Sequence, residues 1–342
     1  MTVDWDLPRT PTSILVLLRL AADHDVPAQV CLRGTGIRAD RLQQPNAEVT
    51  GRDEQLVIAN LLDALGNRAG LGVEAGNRYH LTTYGIWGFA LISSPTLRSA
   101  IDVGLRYLDL TFAFTHIHTR EQNGEFQFVL DTPGIPVPLQ RFAVERDASA
   151  IRLLERELFA APTPVERASF IYPAPDDVGP YIETFGVTPE FGAQENILAL
   201  PPALLDLPLP QANEHTAALA QAQCRDMLQQ RNERAGLAGR VRDLLLANPA
   251  APPSAEQVAH ELNMSSRTLR HRLGAEGTSF RDLLDEVRQR LAEEMLVSGR
   301  LTVAETAQRL GYVELSSFSQ AFRRWNGMGP RAYRNARLPA RR

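Results

Sequence analysis

The residues best suited to chemistry lie in the run Ser265-Ser266-Arg267-Thr268-Leu269-Arg270-His271-Arg272-Leu273. Leu269 and Leu273 are spaced i, i+4, so on a helix they share a face and turn inward. Arg267, Arg270 and His271 then point outward. A guanidinium offers paired donors that match guanine O6 and N7. Contact with phosphate alone would fix position without reading sequence. Either role is open for each residue, and base contact is expected of the group. A second run repeats the pattern: Phe318, Phe322 and Trp325 at i, i+4 and i+7 predict a buried face. Ser316, Ser317, Ser319 and Gln320 are left facing out. Hydroxyl groups are weaker base readers than guanidinium groups, so this helix is expected to discriminate less. Arg323, Arg324 and Arg331 are assigned to phosphates.

Other reactive residues give less. His116 and His118 are two apart on an expected strand and share a face, as metal ligands would. The sequence shows no acid or cysteine joining them, so a solvated polar pair is expected and no metal site. Cys31 and Cys224 are too few for a disulfide framework or a cysteine-based zinc site. No P-loop, GxGxxG, GxSxG or HExxH pattern is present. No catalysis and no cofactor are therefore expected. Tyr84, Trp87, Phe89, Tyr107, Phe112 and Phe114 could line an apolar effector pocket or form ordinary core. Tyr84, Trp87 and Phe114 are the effector-contact candidates. Arg78 and Arg106 could hold an effector carboxylate or simply be solvated.

The elements that must position the outward arginines form an internal repeat. Ala259 and Ala307 lie 48 residues apart, as do Leu262 and Leu310, whereas Leu269–Phe318 and Leu273–Phe322 are 49 apart. Each copy opens on a capping box, Ser254 to Gln257 and Thr302 to Glu305. Each first helix is followed by a residue that tolerates left-handed backbone, Asn263 or Gly311. A small inward Ala lets the second helix cross closely. Together these predict two helix-turn-helix units, at about 254–275 and 302–326. Between them Phe280, Leu284, Val287, Leu291 and Met295 predict one face of a continuous helix over 280–297. Such a rod would be about 27 Å long.

At 44% hydrophobic and 22% charged, the 342-residue chain has the composition of a soluble globular protein. All 36 basic side chains are arginine. The net charge of −4 divides unevenly: 18 Arg against 11 acids from residue 234 onward, and 18 against 29 before it. A basic end on an acidic body suits a polyanionic partner. Residues 1–10 have no apolar core, so no signal peptide is expected, and no stretch is long enough to span a membrane. A cytoplasmic location follows as an expectation. Residues 237–248 read as a helix, 213–231 as a surface helix and 229–239 as a polar linker. The front part mixes helices over 12–22 (capped by Thr12 or Ser13), 55–66, 96–108 and 147–159 with strands over 168–172 and 197–200. A hairpin about Asn123-Gly124, with strands over 111–118 and 125–130, carries alternating Phe112, Phe114, Phe126 and Phe128. The expected architecture is an α+β domain (1–212), a helix and linker (213–236), and an all-α domain (237–342) whose two helix-turn-helix units share a long linker helix.

The C-terminal repeat resembles the AraC/XylS family of transcription regulators. The residues that carry this are 265–273, Glu276-Gly277-Thr278-Ser279-Phe280, Leu310-Gly311-Tyr312, Ser317-Phe318-Ser319-Gln320-Ala321-Phe322-Arg323-Arg324-Trp325 and Gly329-Pro330-Arg331-Ala332-Tyr333. Gly329 departs from the Ser or Thr usual before that proline. Tyr84-Gly85, Gly88-Phe89-Ala90, Ser93-Ser94-Pro95-Thr96-Leu97, residues 170–175, Phe185-Gly186-Val187 and Phe191-Gly192-Ala193 resemble the arabinose-binding-like sensor domain of the ornithine-utilisation-regulator branch. The resemblance implies sequence-specific binding to double-stranded DNA, a small-molecule effector, self-association as a homodimer, and contact with RNA polymerase. Two rivals are a metabolic enzyme domain fused to a DNA-binding module and a non-specific DNA-packaging protein. An enzyme should show a reactive constellation, and a packaging protein has no need of a large acidic companion.

Overall fold

The computed structural model describes residue 5 and residues 8–44, 47–66, 68–234, 236–297 and 301–337. The chain forms two compact units, Met1–Gln229 and Gln230–Arg342.

The first unit is α+β. Strands β1 (Pro8–Arg9) and β2 (Val49–Thr50) pair antiparallel. Helices α1 (Thr12–Asp23), α2 (Ala28–Cys31), α3 (Gly51–Leu65) and α4 (Leu71–Gly76) gather one core about Leu17, Cys31, Val57, Leu61 and Leu71. Next come α5 (Ile86–Ile92), α6 (Leu97–Arg106), the hairpin β3 (His116–Gln122) and β4 (Glu125–Asp131), and α7 (Val137–Phe159). Strand β5 (Arg167–Phe170), α8 (Gly179–Phe185), β6 (Glu190–Phe191), β7 (Ile197–Leu200) and the part of α9 (Glu214–Arg234) up to Gln229 complete it. The sheet order is β3-β4-β7-β5-β6, antiparallel except for the β5–β6 pair. Its inner face, with Ile117, Phe128, Leu130 and Leu198, packs in a second core with α5, α6 and the later part of α7.

Several expectations shift for one reason: buried charge on α7. This helix begins ten residues before the expected 147 because Glu145, Arg146 and Asp147 all face inward and erase the apolar stripe. Arg146, 1% exposed, bonds Glu54 Oε1 (2.9 Å), Asp147 Oδ1 (2.9 Å) and the Phe112 carbonyl (2.8 Å). Asp147 Oδ2 accepts from the amides of Phe114 (3.0 Å) and Thr115 (2.9 Å) and from the Thr115 hydroxyl (2.8 Å). Side chains of α7 thus satisfy the backbone at 112–115, which needs no ladder partner. The first hairpin strand accordingly runs 116–122, not 111–118, and Phe112 and Phe114 lie outside it. Asn123 (φ 55°) and Gly124 (φ 80°) form the expected two-residue turn. Neither Thr12 nor Ser13 caps α1, whose N-cap is Pro11; the Ser13 hydroxyl is buried against Glu54 (2.5 Å) and Tyr79 (2.6 Å). Close contact of α4 with α7 depends on glycine. A Cβ on Gly72 would lie 2.5 Å from the Phe142 carbonyl oxygen, and one on Gly76 would collide with that of Arg146.

The second unit is all helical: α10 (Gly236–Ala247), α11 (Ala255–Glu261), α12 (Ser266–Ala275), α13 (Phe280–Val297), α14 (Val303–Arg309), α15 (Leu315–Asn326) and α16 (Pro330–Arg337). Both capping boxes form. The Thr302 amide bonded to the Glu305 carboxylate holds that carboxyl below its usual range. Asn263 (φ 54°) and Gly311 (φ 76°) make the two left-handed turns, and a Cβ on Gly311 would lie 2.5 Å from the Ala250 carbonyl oxygen. The stretch expected to be a linker is helical through Arg234. Helix α10 then begins at Gly236, with the amides of Leu237 (3.0 Å) and Ala238 (2.9 Å) donating to the Glu276 carboxylate.

The long helix α13 serves two cores on opposite sides. Leu283 and Val287 pack with α10–α12, whereas Ala292 and Leu296 pack with α14–α16. Leu283 and Ala292 are two and a half turns apart at about 3.6 residues per turn, so they face opposite ways. The single face expected from Phe280, Leu284, Val287, Leu291 and Met295 is corrected: four of those five are only partly buried.

Candidate functional site

Helix α12 is anchored by Leu269 and Leu273, and its N-cap Ser265 accepts from the Thr268 amide (3.1 Å). Arg267, Arg270 and His271 are all exposed. Among the described residues none of them is ion-paired, so their donors are available to a ligand.

Helix α15 is held by a chain of rings. Tyr312 meets Phe318 (5.4 Å), Phe318 meets Phe322 (5.8 Å), and Phe322 meets Tyr333 of α16 edge-on (5.1 Å, 82°). Trp325 differs from expectation: it is only partly buried at the margin of this core, 6.4 Å from Phe322, and its indole N–H has no hydrogen-bond acceptor among the described residues. Ser316, Ser317 and Gln320 are exposed and Ser319 is half-buried. A groove of about 460 Å³ brings Ser319, Gln320, Arg323 and Arg331 together beside Leu315 and Pro330. Arg324 is not part of it; its guanidinium is held by Asp285 of α13 (2.7 Å). Val313, 98% exposed, stands in the turn immediately before α15. It is the extra residue of the second copy, the cause of the change from 48 to 49 in the repeat spacing, and that was its only sequence signal.

In the first unit the three effector candidates do not share a pocket. Trp87 borders an apolar cavity of only about 80 Å³, with Leu105, Phe128 and Glu155. Tyr84 packs on Trp87 (5.0 Å) but also on Phe112 (5.7 Å). Phe114 belongs to the other core, between Trp5 and the Arg146 guanidinium (4.5 Å). Arg78 is engaged by Asp23 (2.5 Å) and Glu74 (2.9 Å). The room for a ligand lies elsewhere, in a cleft of about 870 Å³ carrying both signs of charge: Arg68, Arg141 and Arg156 against Glu74, Asp176 and Glu183. Under its wall the Glu145 carboxylate accepts from Tyr181 (2.5 Å) and from the Gly72 amide (3.0 Å). Burial pushes that carboxyl above its usual range.

The structure also supplies the acid that the sequence did not join to His116 and His118. Asp131, across the ladder on β4, has its carboxylate within 3.4 Å of His118 Nδ1 and 3.8 Å of His116 Nδ1. No helix among the described residues is long and apolar enough to cross a membrane.

Two helix-turn-helix units on one shared helix, carried in the same chain as an α+β unit, define a DNA-binding regulator with a separate sensing part. Residues 26–209 match the arabinose-binding domain of AraC transcription regulators, and residues 258–336 match a helix-turn-helix domain. An uncharacterized HTH-type transcriptional regulator of Mycobacterium tuberculosis is 38% identical over 93% of this chain and 94% of its own. The ornithine utilization regulator of Pseudomonas aeruginosa is 34% identical over 94% of each. Among solved structures, the transcriptional regulator CdpR of Pseudomonas aeruginosa aligns over 95% of this chain and 98% of its own, with 28% identity and a TM-score of 0.48. The chain belongs to the AraC family of transcription regulators.

Proposed function

We propose that α12 and α15 enter neighbouring stretches of the DNA major groove, with Arg267, Arg270 and His271 on base edges. Ser316, Ser317, Ser319 and Gln320 read the second half-site, and Arg323 and Arg331 hold phosphate across their groove. Val313 is placed to meet a thymine methyl, the one apolar feature of the major-groove edge. What carries this reading is the pair of unpaired, exposed arginines on a helix whose opposite face is locked by Leu269 and Leu273. Arg270→Ala is expected to cost ~1–3 kcal/mol on the best site and to relax preference at one or two base pairs. Arg323→Ala should instead weaken all sequences alike and lower the salt slope by about one. Selected-site profiling with salt titration separates these outcomes. An unchanged profile for Arg270→Ala would refute base reading by α12.

The effector is assigned to the charged cleft of the first unit, and the chain's role to binding, not catalysis. The cleft lies within the ~300–1,000 Å³ of ordinary ligand sites, whereas the cavity at Trp87 does not. Its mixed charges suit a zwitterion, with Arg156 for a carboxylate and Asp176 and Glu183 for an ammonium group. One relative is named for ornithine utilization, a use that such a site would fit. A ligand at a hundredfold excess over Kd should stabilise the intact chain by about 2.7 kcal/mol. Thermal unfolding with ornithine and other amino acids tests this. The shift should vanish in Arg156→Ala, and its persistence there would move the effector out of the cleft. A homodimer, RNA polymerase contact and a cytoplasmic location complete the proposal.

A further inference from the structure

Strand β3 is one of the two edge strands of the five-stranded sheet, and its residues alternate. Ile117 is buried in the core with Phe128 and Leu130, so His116 and His118 project from the other face. The antiparallel register sets His116 opposite Asp131 and His118 two pairs further on, opposite Val129. The two imidazole rings lie 5.7 Å apart, with the Asp131 carboxylate in reach of both. One ligand atom from each of the three residues falls within 4.8 Å of the other two.

We propose that His116, His118 and Asp131 form a three-ligand site for a divalent transition-metal ion of the zinc type. Metal–nitrogen and metal–oxygen bonds of about 2.0–2.1 Å in a tetrahedron require ligand atoms about 3.3 Å apart. The carboxylate oxygen already stands 3.4 Å from His118 Nδ1 and 3.8 Å from His116 Nδ1, so small side-chain rotations complete the geometry. A second observation points to a ligand: within a half-exposed side chain the His118 Nδ1 atom itself is shielded from solvent, and among the described residues it makes no hydrogen bond although Asp131 is adjacent. Two imidazoles and one carboxylate suit zinc, copper, nickel or cobalt, whereas calcium and magnesium prefer all-oxygen shells. Arg120, two residues on along the same face, is a cation near the site, and Glu195 offsets its charge by binding the guanidinium at two points (2.9 and 2.5 Å). Three protein ligands leave a position open for water or a small anion. The site shares no residue with the charged cleft and stands independently of the effector assignment.

The test uses the full chain freed of metal, with Zn²⁺ and Co²⁺ salts as the probes. Titration calorimetry should show one ion per chain, and Co²⁺ should give visible d–d absorption. His116→Gln, His118→Gln and Asp131→Asn should each weaken Zn²⁺ binding by roughly tenfold or more, since even changes behind a metal ligand cost 10–100-fold. All three side chains are substantially solvent-exposed, so the metal-free variants should melt as the parent does, which separates a lost site from a lost fold. Arg156→Ala should bind Zn²⁺ as the parent does. No saturable binding by the parent overturns the proposal, as does equal binding by the triple variant.

Discussion

Arg146→Met is expected to destabilise the α+β unit by about 3–5 kcal/mol, the cost of breaking a buried ion pair from one side. The guanidinium is the only cation within bonding distance of both Glu54 Oε1 and Asp147 Oδ1 among the described residues, and Glu54 itself is 0% exposed. Its removal leaves two carboxylates in a region closed to water, and also strips a donor from the Phe112 carbonyl. Arg9 reaches Glu54 only at 3.4 Å and cannot substitute. The loss should show in urea unfolding followed by tryptophan fluorescence in a Trp325→Phe background, where Trp5 and Trp87 alone report. Adding Glu54→Gln should return part of the stability, because the stranded charge is then gone. A single variant within 1 kcal/mol of the parent, by the same scale of about 3–5 kcal/mol, would mean that water reaches the site.

Phe322→Ala should cost the helical unit ~3–5 kcal/mol. The ring is 0% exposed and touches Phe318, Trp325 and Tyr333, so its removal opens a cavity at the junction of α15 and α16. For a unit of this size each kcal/mol moves Tm by roughly 4–8 °C. The fragment from residue 230 should therefore melt tens of degrees lower and lose protection at the half-site proposed for α15. Trp325→Ala should cost less, roughly 1–2 kcal/mol, because part of that indole already faces water. Equal melting shifts for the two variants would show that Trp325 is as deeply packed as Phe322.

Both helix-turn-helix units were legible because every signal that defines them is local. A capping box acts over four residues, a left-handed turn over one, and the i, i+4 apolar pair over a single turn of helix. The outward position of Arg267, Arg270 and His271 follows from those pairs alone, as does the hairpin turn at Asn123-Gly124. Trp325 was misplaced because periodicity says which way a side chain points and not how far the core extends beneath it.

What tertiary structure alone decided is every feature that depends on partners distant in sequence. Helix α13 reads as single-faced until two cores claim its opposite sides. The start of α7 is invisible because its charges are neutralised by Glu54, 92 residues away, and by the backbone at 112–115. Asp131 joins His116 and His118 only through the strand register, and the charged cleft draws its arginines and acids from separate helices and loops. Burial overrides local preference wherever a polar group finds its partner across the fold. Residue type and spacing could specify the two helix-turn-helix units because a helix, its caps and its exposed face are set within a few turns of chain.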